Sequence, residues 1–281
     1  MVTATRSSQA VDIGPGTGPT GGRDEIERRQ ANDIADIFRD EPDISIGSDP
    51  RRFGTGTINI RGIEDNRVLL LIDGVRATDY RSPGTTNYDA ANRDLPEPDF
   101  LKRVEIVRGP GSSLYGSDAI GGVVGFLTLD PEDFLTSGKT RAYGAKLSHY
   151  TENQGKKATV WFAAAGAALK GLVMVSRIDA KETETQGSNN VYGFARTTAN
   201  PQDSSSTSLL AKLAFAPAAG HEFRLGLEMK DKRTDSDIQR IANMSATTPT
   251  SLSRISVNTG RDGVLRRSDG AGFSMVKSAR E

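Results

Sequence analysis

The sequence predicts a small α+β domain, a mixed sheet with short helices, followed by antiparallel strands of the kind that build a transmembrane β-barrel. Three observations carry this. Glycine is abundant at 30 of 281 residues while aromatics make up only 6%, against about seven per cent glycine in an average chain. After about residue 138 short apolar runs give way to longer segments of strict apolar/polar alternation. Tight connections there alternate with long loops rich in Ser, Thr and Asn, as at the two rims of a membrane barrel.

Residues 1–30 include Gly14-Pro15-Gly16 and the charged run Arg23 to Arg29, too poor in apolar side chains for a core, and read as a mobile arm. Ile34, Ile37 and Phe38 share one helical face behind Asn32 or Asp33 as cap, which predicts a short helix ending before Pro42. Thr57–Gly62 and Arg67–Arg76 read as two strands joined by Ile63-Glu64-Asp65-Asn66, the second apolar on both faces and therefore central. Asp73-Gly74 marks a tight turn. Residues 78–99 form a loop long enough to bind something. Arg103–Arg108 is a strand, Gly109-Pro110-Gly111 breaks it, and Gly121-Gly122 opens the next strand.

Beyond this, Tyr143–Ser148, Ser208–Phe215 and Glu222–Lys230 alternate, with tight turns at Leu169-Lys170-Gly171 and Pro217–Gly220 and long loops over 183–206 and 236–262. A soluble β-sandwich shares this alternation and is the alternative architecture for the second half.

Composition excludes several classes. Lys plus Arg and Asp plus Glu are both 36, so no net field invites nucleic acid. Absence of cysteine removes disulfides, thiol nucleophiles and Cys-ligated metals. No apolar run reaches the roughly 18–20 residues of a spanning helix, and Met1–Arg6 lacks the features of a secretory signal. No catalytic constellation, phosphate loop or metal-ligand spacing is present, so no enzyme is expected.

Four motifs in order, Ile60-Arg61-Gly62, Val68–Gly74, Arg103–Gly116 and Ala119–Val124, resemble the plug domain of TonB-dependent outer-membrane receptors. Asp73–Arg76 and Leu129–Leu135 are most similar to the haem and haemoglobin receptor branch. The resemblance implies a flexible arm over 1–30, a plug over 31–138 and the first strands of an incomplete barrel over 139–281, in a bacterial outer membrane. It implies energised uptake of an iron source, haem or haemoglobin-derived haem, with a ferric-siderophore or other nutrient receptor, or a soluble β-rich binding domain, as alternatives. Haem or a ferric chelate would be cargo, with no permanently bound cofactor. Partners would be TonB with its inner-membrane energising complex, a haem, haemoprotein or siderophore ligand, and outer-membrane lipid.

The resemblance also assigns residues. Val2, Thr3, Ala4 and Thr5 resemble the end of a TonB box, which pairs with TonB as an added strand. Arg61 and Arg108 match arginines that lock the plug to carboxylates of the barrel wall. Glu64, Asp65, Asn66, Asp79, Tyr80, Arg81 and Tyr88 fall in the plug's outward loops, where ligand is met. His149, at the end of the first barrel-like strand, is a candidate haem ligand. About 22 strands enclose a plug in such transporters, whereas residues 139–281 supply five or six, so the sequence reads as an N-terminal fragment.

Overall fold

The computed structural model describes residues 17–47, 58–77, 95–135, 138–218, 221–237, 239, 254–263 and 274–279. They form an N-terminal α+β domain seated on the face of a separate sheet of long strands.

The domain opens with β1 (Thr17–Gly22), α1 (Arg23–Arg28), α2 (Ile34–Phe38), β2 (Ile44–Ile46), β3 (Ile58–Ile60), β4 (Val68–Ile72) and β5 (Val75–Arg76). It continues through β6 (Leu101–Arg108), α3 (Ser112–Tyr115), β7 (Gly122–Thr128) and α4 (Pro131–Phe134). Its main sheet runs β1-β6-β7-β4-β5, parallel between β4 and β7 and antiparallel elsewhere. Residues 17–28, expected within a mobile arm, instead hold β1 and α1. β1 closes the sheet edge on β6, and Ile26 reaches the core.

α2 forms where expected because Asp33 accepts from the Asp36 backbone N–H while Asp36 accepts in return, a reciprocal cap. β3 and β4 are joined through Ile63–Asn66 as read from the sequence, but β3 pairs with β2, in a separate two-stranded sheet, rather than with β4. Arg61 and Gly62 both adopt positive φ, so the chain doubles back from Ile60 to Ile63 before β4 begins. Asp73 and Gly74, at φ 48° and 82°, make the foreseen two-residue turn between β4 and β5.

β4 is buried along all five residues. Val68, Leu70 and Ile72 join Ile34, Ile37, Phe38, Ile106 and Phe126 on one face, and Leu69 and Leu71 pack on Ala119 and Val123 on the other. Each such side chain contributes about 1.5–3 kcal/mol relative to exposure, which makes this strand the spine of the domain.

The return from β6 to β7 explains its glycines. A Cβ on Gly121 would strike Ile63, and one on Gly122, at φ 154°, would strike the Val107 carbonyl and Ile60. Gly122→Ala is therefore expected to lower stability by about 2–3 kcal/mol, read as a shifted denaturation midpoint; an unchanged midpoint would refute the close-approach account.

The second unit comprises β8 (Arg141–Tyr150), β9 (Gly155–Ala165), β10 (Leu169–Lys181), β11 (Gln202–Ala218), β12 (His221–Asp237), β13 (Arg254–Gly263) and β14 (Ser274–Ala279). β8 to β13 pair consecutively, and β14 pairs with the first residues of β12. Seven strands thus stand where five or six were expected, in a sheet that does not close on itself among the described residues. Leu169-Lys170-Gly171 belongs to β10 rather than a turn; the reversal is one step earlier, where the Gly166 N–H bonds the Leu169 carbonyl. The loop expected over 183–206 ends at 201, because the Ser/Thr run Asp203–Ser208 pairs along β10. Part of the loop expected over 236–262 is likewise strand, since β12 reaches Asp237 and β13 begins at Arg254.

Candidate functional site: the inward face of the strand wall

Alternation sorts the wall's residues into two faces, and strand register sorts each face into rows. On the face turned toward the N-terminal domain one row reads Lys146, Thr159, Ser176, Ser208, Lys230. The adjacent row reads Gly144, Trp161, Met174, Leu210, Glu228, and the next Ala142, Ala163, Leu172, Lys212, Gly226. Toward the short-turn rim come Lys170, Ala214 and Arg224. Cationic tiers thus flank an apolar one.

The domain answers each tier. At the upper one, Leu95–Phe100, expected to end a loop, is folded against the wall. Lys157, only 1% exposed in its side chain, pairs with Glu97 and lies 3.2 Å from Asp99. Lys146 reaches Asp99 at 2.6 Å, the Thr159 hydroxyl donates to it at 2.7 Å, and the Lys230 ammonium donates to the Leu95 carbonyl at 2.8 Å. From the other side the Arg23 guanidinium donates to the carbonyls of Asp99 and Leu101, so α1 holds the same turn.

The apolar tier receives Phe100 and Leu129, which pack with Ala163, Leu172, Met174 and Leu210. Phe134 lies against Trp161 with ring centroids 5.8 Å apart. Gly144, opposite Trp161, leaves the space the indole occupies. At the lower tier Lys212 lies 3.1 Å from Asp73 and 3.0 Å from Asp130, Lys170 meets Glu132 at 3.0 Å, and Arg224 stands 3.6 Å from Asp130. Asp73 is itself fixed by the backbone N–H and hydroxyl of Thr128.

Burial raises the Asp99 carboxyl, but the Lys157 charge and the hydrogen bonds from Lys146 and Thr159 outweigh it and hold the group below its ordinary value. Glu132 is lowered too, burial again being outweighed, here by backbone and Lys170 hydrogen bonds and by Arg224 and Lys170 charge. A lowered carboxyl stabilises the fold fully above its unfolded pKa, and that stabilisation is lost as pH falls through the folded value. Acidification below about pH 4 is therefore expected to loosen the domain from the wall. The sole tryptophan, Trp161, reports it by fluorescence; a signal constant from neutrality to about pH 2 would show that these carboxylates do not hold the interface.

The residues singled out from the sequence fall elsewhere. Glu64, Asp65 and Asn66 lead into β4, beside the β6–β7 return, where the Arg67 carbonyl accepts from the Gly121 N–H. Arg61 pairs with Asp43 at 3.0 Å and is 58% exposed, while Arg108 pairs with Glu41 at 2.7 Å and is largely buried. These partners belong to the domain itself. Among the described residues the ion pairs that bridge to the wall place carboxylates on the domain and cations on the strands. His149 lies on the wall's outward face, in the same alternation as Tyr143 and Leu147, and its Nδ1 is 3.1 Å from the Gly155 carbonyl. It is not brought together with Glu64–Asn66. Asp79, Tyr80, Arg81, Tyr88 and Val2–Thr5 lie outside the described residues.

Comparison with known proteins gives this architecture its family. Residues 20–123 match the model of the TonB-dependent receptor plug domain. Hemoglobin-binding protein A of Haemophilus influenzae is 31% identical over 221 residues, covering 74% of this chain and 22% of that protein. Hemoglobin-haptoglobin utilization protein B of Neisseria meningitidis serogroup C is 27% identical over 284 residues, 89% of this chain and 35% of that one. The chain thus spans about a fifth to a third of these relatives' length. The FrpB iron transporter of Neisseria meningitidis superposes with a TM-score of 0.63 at 20% identity, over 79% of this chain and 36% of that one. Fold, motifs and relatives agree: the chain belongs to the TonB-dependent receptors, its N-terminal domain being their plug and its long strands part of the surrounding wall.

Proposed function

We propose that the chain serves, within a TonB-dependent outer-membrane receptor, the energised uptake of an iron source, specifically haem or haem taken from haemoglobin. The observation that carries this is a plug fastened to the inward face of an alternating wall, in a chain whose relatives include haemoglobin-binding proteins. On this reading the protein moves its cargo without chemical change. Val2–Thr5 pairs with TonB as an added strand, and Glu64–Asn66 with Asp79, Tyr80, Arg81 and Tyr88 present the plug's ligand-facing loops.

Titrating haemin into the full chain assembled in detergent tests the ligand. The expected result is a shifted Soret band, weakened when Tyr80, Arg81 and Tyr88 are replaced together by Ala. No shift would remove haem and favour another nutrient, a reading supported by 30% identity over 197 residues to the vitamin B12 transporter BtuB of Vibrio vulnificus.

A further inference from the structure

Plug and wall do not meet everywhere along their seam. Where α1, β6 and α4 come against β8, β9 and β10, a hollow of about 480 Å³ lies between them, a volume typical of small-molecule sites. Its floor is apolar, with Leu129 and Phe134 from the plug beside Trp161 and Met174 from the wall. The rings of Phe134 and Trp161, 5.8 Å apart, are only partly covered, whereas Ala163, Leu172 and Leu210 in the same layer are buried. Aromatic surface is thus left open inside an interface that covers its other apolar residues.

The rim is charged. Arg23, Lys102, Arg103 and Lys146 line it with Glu27, Asp99 and Asp133. Each carboxylate is held by a cation of the same rim: Glu27 by Arg23 at 2.6 Å, Asp99 by Lys146 at 2.6 Å and Asp133 by Lys102. Arg103 turns to Glu105 at 2.8 Å. An ammonium has three donors, and among the described residues Lys102 gives one to Asp133 and Lys146 one to Asp99. Lys102, at 38% side-chain exposure, is the most open of the four cations. Such a rim can take one further acceptor group, while a more highly charged ligand would meet the three carboxylates.

We propose that this hollow binds a small planar aromatic carboxylate, its rings on Trp161 and Phe134 and its carboxylate accepting from Lys102 and Lys146. Plug and wall each supply part of the site, so the ligand binds only while the two are together and its binding stabilises their docking. The occupant is a wedge that holds the plug in place. This goes beyond the proposed function and does not depend on which nutrient is carried, so a failed haemin titration leaves it standing.

The test uses the full chain in detergent with naphthalene-2-carboxylate. Binding is read by saturation-transfer NMR against empty micelles, and docking by limited proteolysis of the plug and the denaturation midpoint. The acid is expected to bind, to slow plug cleavage and to raise the midpoint further as its concentration increases. The neutral naphthalene-2-carboxamide should bind about tenfold more weakly to the unaltered chain, and the acid about tenfold more weakly to Lys102→Gln, with affinity restored by Lys102→Arg. Lys156→Gln, on the outward face, should change nothing. Haemin, larger and more highly charged, should not displace the acid. Equal binding of the carboxamide, undiminished binding by Lys102→Gln, or displacement by haemin overturns the site's chemistry. Binding that leaves the midpoint and the proteolysis rate unchanged overturns its place in the seam.

Discussion

Replacing Lys157 by Met is expected to weaken plug docking by about 3–5 kcal/mol, the cost of leaving buried charge without its partner. Its ammonium stands between Glu97 and Asp99, both nearly inaccessible, and Met fills similar volume while compensating neither. Limited proteolysis of the plug and the denaturation midpoint followed by Trp161 fluorescence should both report the loss. Neighbouring Lys156, facing outward, sets the baseline: its replacement should change stability by no more than about 0.5 kcal/mol. A companion variant adding Glu97→Gln to Lys157→Met removes the charge left without a partner, since Asp99 keeps Lys146, and should recover part of the stability. If the single and double variants are equally destabilised, packing rather than charge fixes this turn.

Phe100→Ala should produce a loss of similar size, about 3–5 kcal/mol, by a different cause. Phe100 is wholly buried in the layer shared by plug and wall, beside Leu172, Met174 and Leu210, so the cavity opens at the interface itself. The expected signature is independence from pH. Lys157→Met should lose its effect as acid neutralises the carboxylates, whereas Phe100→Ala should cost as much at low pH as at neutrality. Measuring both across pH separates the apolar tier from the charged ones; parallel profiles would show that the tiers do not act separately.

Much of this fold is legible in the sequence because local chemistry and tertiary structure agree there. Asp33 caps α2, Asp73-Gly74 closes β4 on β5, and the apolar run Val68–Ile72 is buried on both sides as its composition requires. The misreadings arise where partners are distant. Nothing within Thr57–Arg76 says that β3 pairs backward with β2, since either pairing satisfies the same alternation. Gly18 and Pro19 look like arm residues, and only β6, 80 or more positions later, makes them an edge strand.

The charged interface was hidden for a related reason. Lys156 and Lys157 are adjacent and chemically identical, yet one faces outward and the other is buried against two carboxylates, a distinction made only by strand parity. Parity was readable in principle. The inward lysines Lys146, Lys212 and Lys230 recur at even positions of alternating strands, and the segment Pro96-Glu97-Pro98-Asp99 supplies fixed acids within a loop whose prolines limit its freedom. Which acid meets which base depends on the docking of two separate sheets, and no local pattern records that.

Among the described residues the main plug sheet is attached to β8–β12 by one end. Asp73, Asp99, Thr128 and Asp130 gather at the fastened end, while Arg61, Arg108 and the Gly121-Gly122 return gather at the other, far along the same strands. Mechanically this is a cantilever. A tug delivered through β1, which lies along the outer edge of β6, acts as a bending load on a beam clamped at Asp99, and the beam's tip travels farther than its root. Displacement is therefore greatest where Arg61, Arg108 and Glu64–Asn66 sit, and least where Lys157 grips the plug.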